Sequence, residues 1–204
     1  MMRADTPVMN GLSDAVRDAT DRLSELEKKR ESAISASRII TRKTKNMIHA
    51  IHLGDGRSSM EKGLLDDVGK VLEELGDEPS VFYSSVLQDA LGEYAEAFIF
   101  ASMVEGDAIP SYQSLRITPQ AWVLGLADSI GEVRRMILAY LMDGRLEDAR
   151  NLFERMEELG DEILGIDVPD AIVPVRRKQD VARSIIEKTR SDIANAVMLA
   201  QMKK

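Results

Sequence analysis

The first quarter of the sequence follows the hydrophobic period of one very long helix. Apolar or small residues recur in alternating steps of four and three between Leu12 and Ile51, which is the spacing of a coiled-coil seam. Ser13 is the predicted N-cap, and Gly54 begins a glycine-containing stop. At 1.5 Å per residue, a helix from Ser13 to Leu53 would be roughly 60 Å long. We therefore expect it to extend beyond its own domain and to pack against a partner chain.

Five further helices are predicted, bounded by proline, glycine or aspartate. Their predicted spans are 59–75, 79–106, 120–142, 146–159 and 175–202. Residues 107–119 are predicted to form a loop, because they include two prolines and several polar residues. No strand pattern competes with these helices. The sequence predicts an all-α helical bundle with a very long N-terminal helix, as one domain over residues 1–204 in which 1–12 are flexible.

The third predicted helix carries carboxylates within an apolar row. Asp89, Glu93 and Glu96 share one helix face, with large apolar residues at both ends of the row. The opposite side is also apolar, so the helix is predicted to be buried all round. Ionised carboxylates buried without partners would cost several kcal/mol each, and a cation is the simplest compensation.

The fourth predicted helix supplies a second acidic pair. Asp128 and Glu132 are four residues apart, and small residues such as Gly125 lie on the same face, so another helix could approach closely. Opposite Glu93 and Glu96, this pair would complete a four-carboxylate site suited to Mg²⁺ or Mn²⁺. Neither acidic helix contains histidine, which argues against a ferritin-like iron centre. The alternative is that these residues are solvated charge pairs, which are common at helical spacing.

Composition excludes several kinds of site. The chain has no cysteine, which rules out disulfides and thiolate chemistry. No apolar run approaches the ~20 residues of a membrane span. The N-terminus also lacks the apolar core of a signal peptide, so we expect a cytoplasmic protein with no membrane partner.

The two histidines, His49 and His52, are expected to have packing or helix-end roles, because no carboxylate near them in sequence completes a metal site.

Two acidic segments and two basic ones resemble the translin/Trax family. The run DALGEYAEAFIF (89–100) is similar to the Trax-type glutamate motif, and LGLADSIGEVRR (124–135) is similar to the second acidic motif. The run SRIITRKTKNMIHAIH (37–52) resembles the basic N-terminal helix, and VRRKQDVARSIIEKTRSDI (175–193) resembles the C-terminal helix. The resemblance covers most of the chain from about Arg30 onward.

This resemblance implies an activity and an assembly. Trax-type subunits carry the acidic set and cleave RNA, whereas translin-type subunits lack it. A single chain with the whole set looks like the archaeal-type member, which would form a homo-oligomer, an octamer enclosing RNA. The acidic set would bind Mg²⁺ or Mn²⁺ and activate water to cleave single-stranded or partly paired RNA. The matching residues are Glu93, Glu96, Asp128 and Glu132.

A closed shell would reconcile RNA binding with the net charge of −8, which argues against an open nucleic-acid-binding surface. Basic side chains lining the interior would contact phosphates of RNA, and also of single-stranded DNA, without reading their sequence. The foremost candidates lie in the basic family motif: Arg38, Arg42 and Lys45. Further candidates are Arg135, Arg177 and Lys178, followed by Arg30, Lys43 and Arg183.

Two other functions stay open. One is a non-catalytic oligomeric protein that binds single-stranded RNA or DNA, in which the carboxylates are structural. The other is a helical scaffold with no nucleic-acid role, which would show no salt-dependent binding of oligonucleotides.

Overall fold

A computed structural model describes residues 11–55, 58–75 and 78–202, and these ranges are all-α as predicted. The helices are α1 (Leu12–Leu53), α2 (Ser58–Leu75), α3 (Pro79–Phe82), α4 (Ser85–Glu105), α5 (Pro119–Met142), α6 (Leu146–Leu164) and α7 (Arg176–Met202). Of the segment 1–12 that is predicted to be flexible, residues 1–10 lie outside the described ranges, and Leu12 is the first residue of α1. None of the described helices combines the length and apolar character needed to cross a bilayer.

Helix α4 is the centre of the bundle. It packs between α1 and α5, while α2 covers α1, and α6 and α7 pack against α5 and against each other. Apolar and small side chains are buried on every side of α4 between Leu87 and Met103, which confirms the predicted all-round burial over that range. The first turn is different, because Val86 and Asp89 are exposed. The carboxylates that reach the interior of the bundle from α4 are therefore Glu93 and Glu96.

Helix α1 has two parts with different surroundings. From Ala33 to Ile51 its apolar seam is buried against the bundle. Leu12, Val16 and Leu23 on its first half are exposed, which confirms that the helix extends beyond its own domain.

Of the two predicted ends of α1, the C-terminal one is confirmed and the N-terminal one is not. Gly54 ends the helix in the left-handed conformation at φ 85°, as predicted. The predicted N-cap Ser13 is wrong, because Gly11 occupies that position at φ 90° and no side chain caps the helix.

The helix predicted to start at residue 79 is two helices. The helix is interrupted at Tyr83 and Ser84, where Ser84 adopts an extended conformation (φ −63°, ψ 139°). The side-chain amide of Gln88 donates a 2.8 Å hydrogen bond to the Phe82 carbonyl oxygen. This bond satisfies a carbonyl that the break removes from the helical ladder, so the interruption leaves that group paired.

Helix α6 passes through Gly160, where the sequence predicts its end, and continues to Leu164. A Cβ atom at Gly160 would overlap the Cδ1 atom of Ile186 on α7. Gly160 therefore serves close packing of α6 against α7, and the glycine signal for a helix end was misleading here.

Gly125 sets the distance between α4 and α5. A Cβ atom placed on it would lie 2.7 Å from the Ala95 Cβ atom and 2.9 Å from the Glu96 backbone nitrogen, closer than real side chains pack. The prediction that small residues on α5 allow close approach of another helix is confirmed. The same approach brings the acidic pair of α5 next to Glu96.

We predict that Gly125→Ala destabilises the protein by about 2 kcal/mol, because overpacking at a helix contact costs this much. Gly131→Ala is the matched control, since a Cβ atom at that α5 position meets nothing within 4 Å. That control should gain up to about 1 kcal/mol from helix propensity. Urea denaturation at a fixed protein concentration measures both variants. Equal midpoints for the two variants would contradict the close-approach role of Gly125.

Candidate functional site

The predicted carboxylates come together where α1, α4 and α5 pack. Glu93 and Glu96 of α4 and Glu132 of α5 line one cavity of about 270 Å³, which α1 closes with Thr44 and three further side chains. These three are Lys45, Ile48 and His49. Asp128 lies one helical turn before Glu132, near enough to Glu96 to raise its pKa, although it does not line the cavity. The structure therefore places all four acids in one centre, which we call the acidic centre.

Glu96 is the carboxylate under the greatest electrostatic strain. Burial is the main reason that its pKa rises from the ordinary 4.5 to about 7, and the nearby charges of Asp128, Glu132 and Glu93 contribute to the same rise. Within the described ranges, Glu96 has no hydrogen-bond or ion-pair partner. Ionised Glu96 is therefore maintained at a cost in stability, to which its three acidic neighbours contribute.

Glu93 has one oxygen near a cation and one without a partner. Its Oε1 atom lies 3.9 Å from the Lys45 ammonium nitrogen. Its Oε2 atom is buried and has no hydrogen-bond partner, and the same is true of the Thr44 hydroxyl at the cavity wall. A buried carboxylate oxygen without a partner is unfavourable in a folded protein, and a hard cation would satisfy it.

Glu132 is held by a histidine of α1. The His52 Nε2 atom lies 2.6 Å from Glu132 Oε2, and the His52 ring packs against Phe100 with 4.9 Å between ring centroids. This hydrogen bond lowers the Glu132 pKa, and Arg135, 3.5 Å from the same oxygen, adds to the effect. The predicted packing role of His52 was incomplete. Its place seven residues after Lys45, on the same face of α1, is the sequence signal that could have found it.

Asp128 is held by a lysine from α7. The Lys178 ammonium nitrogen lies 2.5 Å from Asp128 Oδ1 and 2.6 Å from Oδ2. Helix α7 is held beside α5 by Arg134, which donates to the Thr189 hydroxyl at 2.7 Å and to the Asp192 carboxylate at 2.8 Å. Lys178, predicted to contact RNA phosphates, therefore lies against the acidic centre itself.

The donor set of the acidic centre fits a hard divalent cation. Its four acids offer oxygen ligands, including a buried oxygen without a partner on Glu93, and such ligands suit Mg²⁺ and Mn²⁺. In the arrangement seen across the described ranges, no three acidic or histidine side chains are grouped so that they could hold one ion. Asp128 is instead paired with Lys178, and Glu132 with His52.

Basic side chains approach the acidic centre along one face of α1. Arg38, Arg42 and Lys45 are exposed and follow one another at helical spacing, and Lys45 reaches the cavity. Arg135 of α5 lines the cavity with 62% of its side chain exposed. Arg177 is exposed in the first turn of α7. All five lie at the surface, where phosphate groups could contact them.

The remaining basic candidates lie elsewhere. Lys43 contacts α2, with its ammonium nitrogen 2.5 Å from Asp67 Oδ2. Arg183 pairs with Asp180 at 3.3 Å, and Arg30 is exposed. None of the three lines the cavity beside Glu93 and Glu96.

Sequence and structure comparisons agree on what this chain is similar to. The uncharacterized protein MJ0175 of Methanocaldococcus jannaschii is 33% identical over 172 residues, which are 82% of this chain and 76% of that protein. The crystal structure of AfC3PO is 30% identical, with a TM-score of 0.80 over 91% of this chain and 98% of that chain. The AfC3PO–duplex RNA complex is 29% identical, with a TM-score of 0.81 over 93% and 100%.

More distant comparisons bear on the fold alone. Apo-NeC3PO is 22% identical and superposes with a TM-score of 0.78 over 96% of this chain and 99% of that chain. No protein-family model matches the sequence.

C3PO, the component 3 promoter of RISC, belongs to the translin/Trax family. With 30% identity to AfC3PO over almost its whole length, and with the acidic and basic segments of the family in place, this chain belongs to the translin/Trax family.

Proposed function

We propose that this protein is a metal-dependent endoribonuclease that hydrolyses the backbone of single-stranded or partly paired RNA. The observation that carries the proposal is the acidic centre, in which the fold gathers four carboxylates against their mutual repulsion. Well-packed apolar residues would stabilise the same helix contact at least as well, so packing does not explain the acids. The AfC3PO structure in complex with duplex RNA supports RNA as the ligand class.

Each group of residues has a role in this proposal. Glu93, Glu96, Asp128 and Glu132 would hold Mg²⁺ or Mn²⁺, which supplies a Lewis acid for the phosphoryl oxygens and makes water more acidic. Water adds to phosphorus and one P–O ester bond breaks, leaving a phosphate on one fragment and a hydroxyl group on the other. The stripe formed by Arg38, Arg42 and Lys45 would position the RNA backbone by phosphate contacts. His52 would orient Glu132 by holding Oε2 alone, which leaves Oε1 available.

The assembly is also a proposal. A homo-oligomer in the form of a closed octamer would cover the exposed apolar residues of the first half of α1, namely Leu12, Val16 and Leu23. It would also place the basic face of α1 toward enclosed RNA, or single-stranded DNA, while the excess acidic charge faces outward.

A second candidate function is non-catalytic binding of single-stranded RNA or DNA. One observation favours it: protein cations already lie beside Glu93, Asp128 and Glu132. The acids would then be structural parts of a network of ion pairs. Cleavage in the presence of metal distinguishes the two functions.

We predict that Glu96→Ala and Asp128→Ala each reduce metal-dependent RNA cleavage by at least about 100-fold, because each removes a ligand of the metal site. The assay uses a labelled single-stranded RNA with Mg²⁺, Mn²⁺ or EDTA, and circular dichroism verifies folding. Asp89→Ala is the matched control, since that carboxylate lies on the same helix but is exposed outside the centre. Unchanged cutting by both site variants would refute the nuclease assignment. Binding without cutting by the wild-type protein in every metal would favour the second function.

We predict that Glu96→Gln stabilises the metal-free protein in a pH-dependent way. The folded-state pKa of Glu96, about 7, lies above its ordinary value of 4.5, so the folded state binds this proton more tightly than the unfolded state. The wild-type protein therefore loses stability as the pH rises from about 4.5 to 7. Glutamine should raise the free energy of unfolding by about 3 kcal/mol at pH 8 and by less than about 1 kcal/mol at pH 5. Urea denaturation in EDTA measures this, and an equal gain at both pH values would contradict it.

We predict that His52→Phe lowers kcat/KM and Mn²⁺ affinity by about tenfold, because it keeps the aromatic packing on Phe100 but removes the hydrogen bond that orients Glu132. His52→Gln restores a side-chain N–H donor and should recover most of both losses. Thermal melting controls for folding. If both variants lose function equally, or if His52→Phe keeps its Mn²⁺ affinity, His52 has a packing role only.

A further inference from the structure

Lys178 contacts the acidic centre differently from the other cations. Its ammonium nitrogen is almost equally distant from both oxygens of Asp128, at 2.5 and 2.6 Å. His52 and Arg135, in contrast, contact Oε2 of Glu132, and Lys45 is 3.9 Å from one oxygen of Glu93. Asp128 is therefore the one member of the acidic centre whose two oxygens are both occupied by a protein cation, within the described part of the chain.

The position of this ammonium group is one that a metal ion would need. Nearly equal distances place it between the two carboxylate oxygens, where a divalent cation would bind Asp128. A lysine and a divalent cation cannot share that position, because like charges a few ångströms apart repel strongly. Binding of a metal ion to Asp128 therefore requires Lys178 to leave.

Lys178 is able to leave because the pair lies at the edge of the centre. The side chains of Lys178 and Asp128 are 32% and 46% exposed. Ion pairs at this exposure are weak, and the flexible lysine stem lets the ammonium group move into solvent while its methylene groups stay packed. His52 differs, because its side chain is 8% exposed and packed on Phe100, so it stays in place.

The released ammonium group would remain attached to a helix start that carries positive charge. Arg177, the preceding residue, is exposed and has no ion-pair partner in the ranges that the structure describes. The first turn of α7 contains three successive cations and no acid, although the dipole of a helix disfavours positive charge at its N-terminus. Once Lys178 has left Asp128, an anion in place of the lost carboxylate would therefore stabilise its ammonium group.

We propose that Lys178 exchanges partners when the acidic centre takes up a divalent cation: it leaves Asp128 and binds a phosphate of the RNA backbone. The exchange couples the two ligands, because metal binding releases the group that grips RNA, and an RNA phosphate holds that group away from the metal site. This inference rests on the proposed function, since it uses Asp128 as a metal ligand and RNA as the bound polyanion.

The first test measures Mn²⁺ binding to the full chain without RNA. Lys178→Met removes the competing charge at similar size, and we expect Mn²⁺ to bind about fivefold more tightly. Lys188→Met is the matched control, because Lys188 is an exposed lysine of the same helix with no ion-pair partner in the described ranges. Its Mn²⁺ affinity should equal that of the wild-type protein. Lys178→Gln, a second variant that removes the charge, should behave as Lys178→Met does, and circular dichroism verifies that each variant folds.

The second test measures binding of a fluorescent single-stranded RNA over a range of salt concentrations, in Ca²⁺ and in EDTA, with intact RNA verified on a gel. In Ca²⁺ the Lys178→Met variant should lose one phosphate contact, so that the slope of log K against log salt falls by about one. In EDTA the slope should equal that of the wild-type protein, because Lys178 is then held by Asp128. A general loss of positive charge would instead change the slope under both conditions.

The outcomes separate the exchange from the proposed function. Mn²⁺ binding that depends on Glu96 but is equal in Lys178→Met and the wild-type protein would overturn the exchange alone. If Lys178→Met changes the slope of log K for RNA binding against log salt equally in Ca²⁺ and in EDTA, the exchange is also overturned. The nuclease function then still stands. If the wild-type protein binds no Mn²⁺, or if its Mn²⁺ binding does not depend on Glu96, the metal-dependent function is overturned and the exchange with it.

Discussion

The close contact between α4 and α5 is the constraint on which the rest of the site depends. Gly125 lies against the backbone of α4 beside Glu96, with no room for a side chain between the two helices. At this separation the acidic pairs on the two helices cannot avoid each other, and the pKa of Glu96 rises to about 7 through burial and three neighbouring carboxylates. The close approach of α4 and α5 and the raised pKa of Glu96 thus occur at the same place.

Stability and function therefore oppose each other in this bundle. The interior of α4 is apolar or small on every side except for Glu93 and Glu96, so apolar replacements would fill the contact without repulsion. Buried charge of one sign is retained where it serves binding or chemistry, because burial without compensation lowers stability. In the function proposed above, the carboxylates are retained for the cation they would bind.

The first and last helices of the described chain each bring side chains to the acids, in addition to Arg135 of α5. Helix α1 brings Lys45 and His52 across α4, and α7 brings Lys178 across α5. Their geometries differ: the buried His52 holds one oxygen of Glu132, whereas the partly exposed Lys178 covers both oxygens of Asp128. The length of α1 also matters, because one continuous helix carries both a face of the site and the exposed apolar surface that an oligomer would cover.

Periodicity alone predicted most of the fold, because helix spans in this chain are marked by local signals. The long first helix, the acidic face of α4 and the small residues of α5 all follow from residue spacing. The exceptions are places where a side-chain contact accompanies a departure from the local signal. Gly160 resembles a helix end but makes room for Ile186, and the helix that starts at Pro79 breaks where the Gln88 side chain takes over a backbone carbonyl.

By itself, the sequence determined the helical class, the membership of the acidic set and the basic face of α1, because each depends on spacing within one helix. Only the tertiary structure decided which side chain pairs with which acid. The pairing of His52 with Glu132 joins residues 80 positions apart, and that of Lys178 with Asp128 joins residues 50 apart. Such partners are set by how helices cross, which depends on packing across the whole bundle. Spacing can place His52 on the Lys45 face of α1, but it does not say which acid His52 meets. Residue spacing thus specified which acids share a helix face, and helix packing specified their electrostatic surroundings.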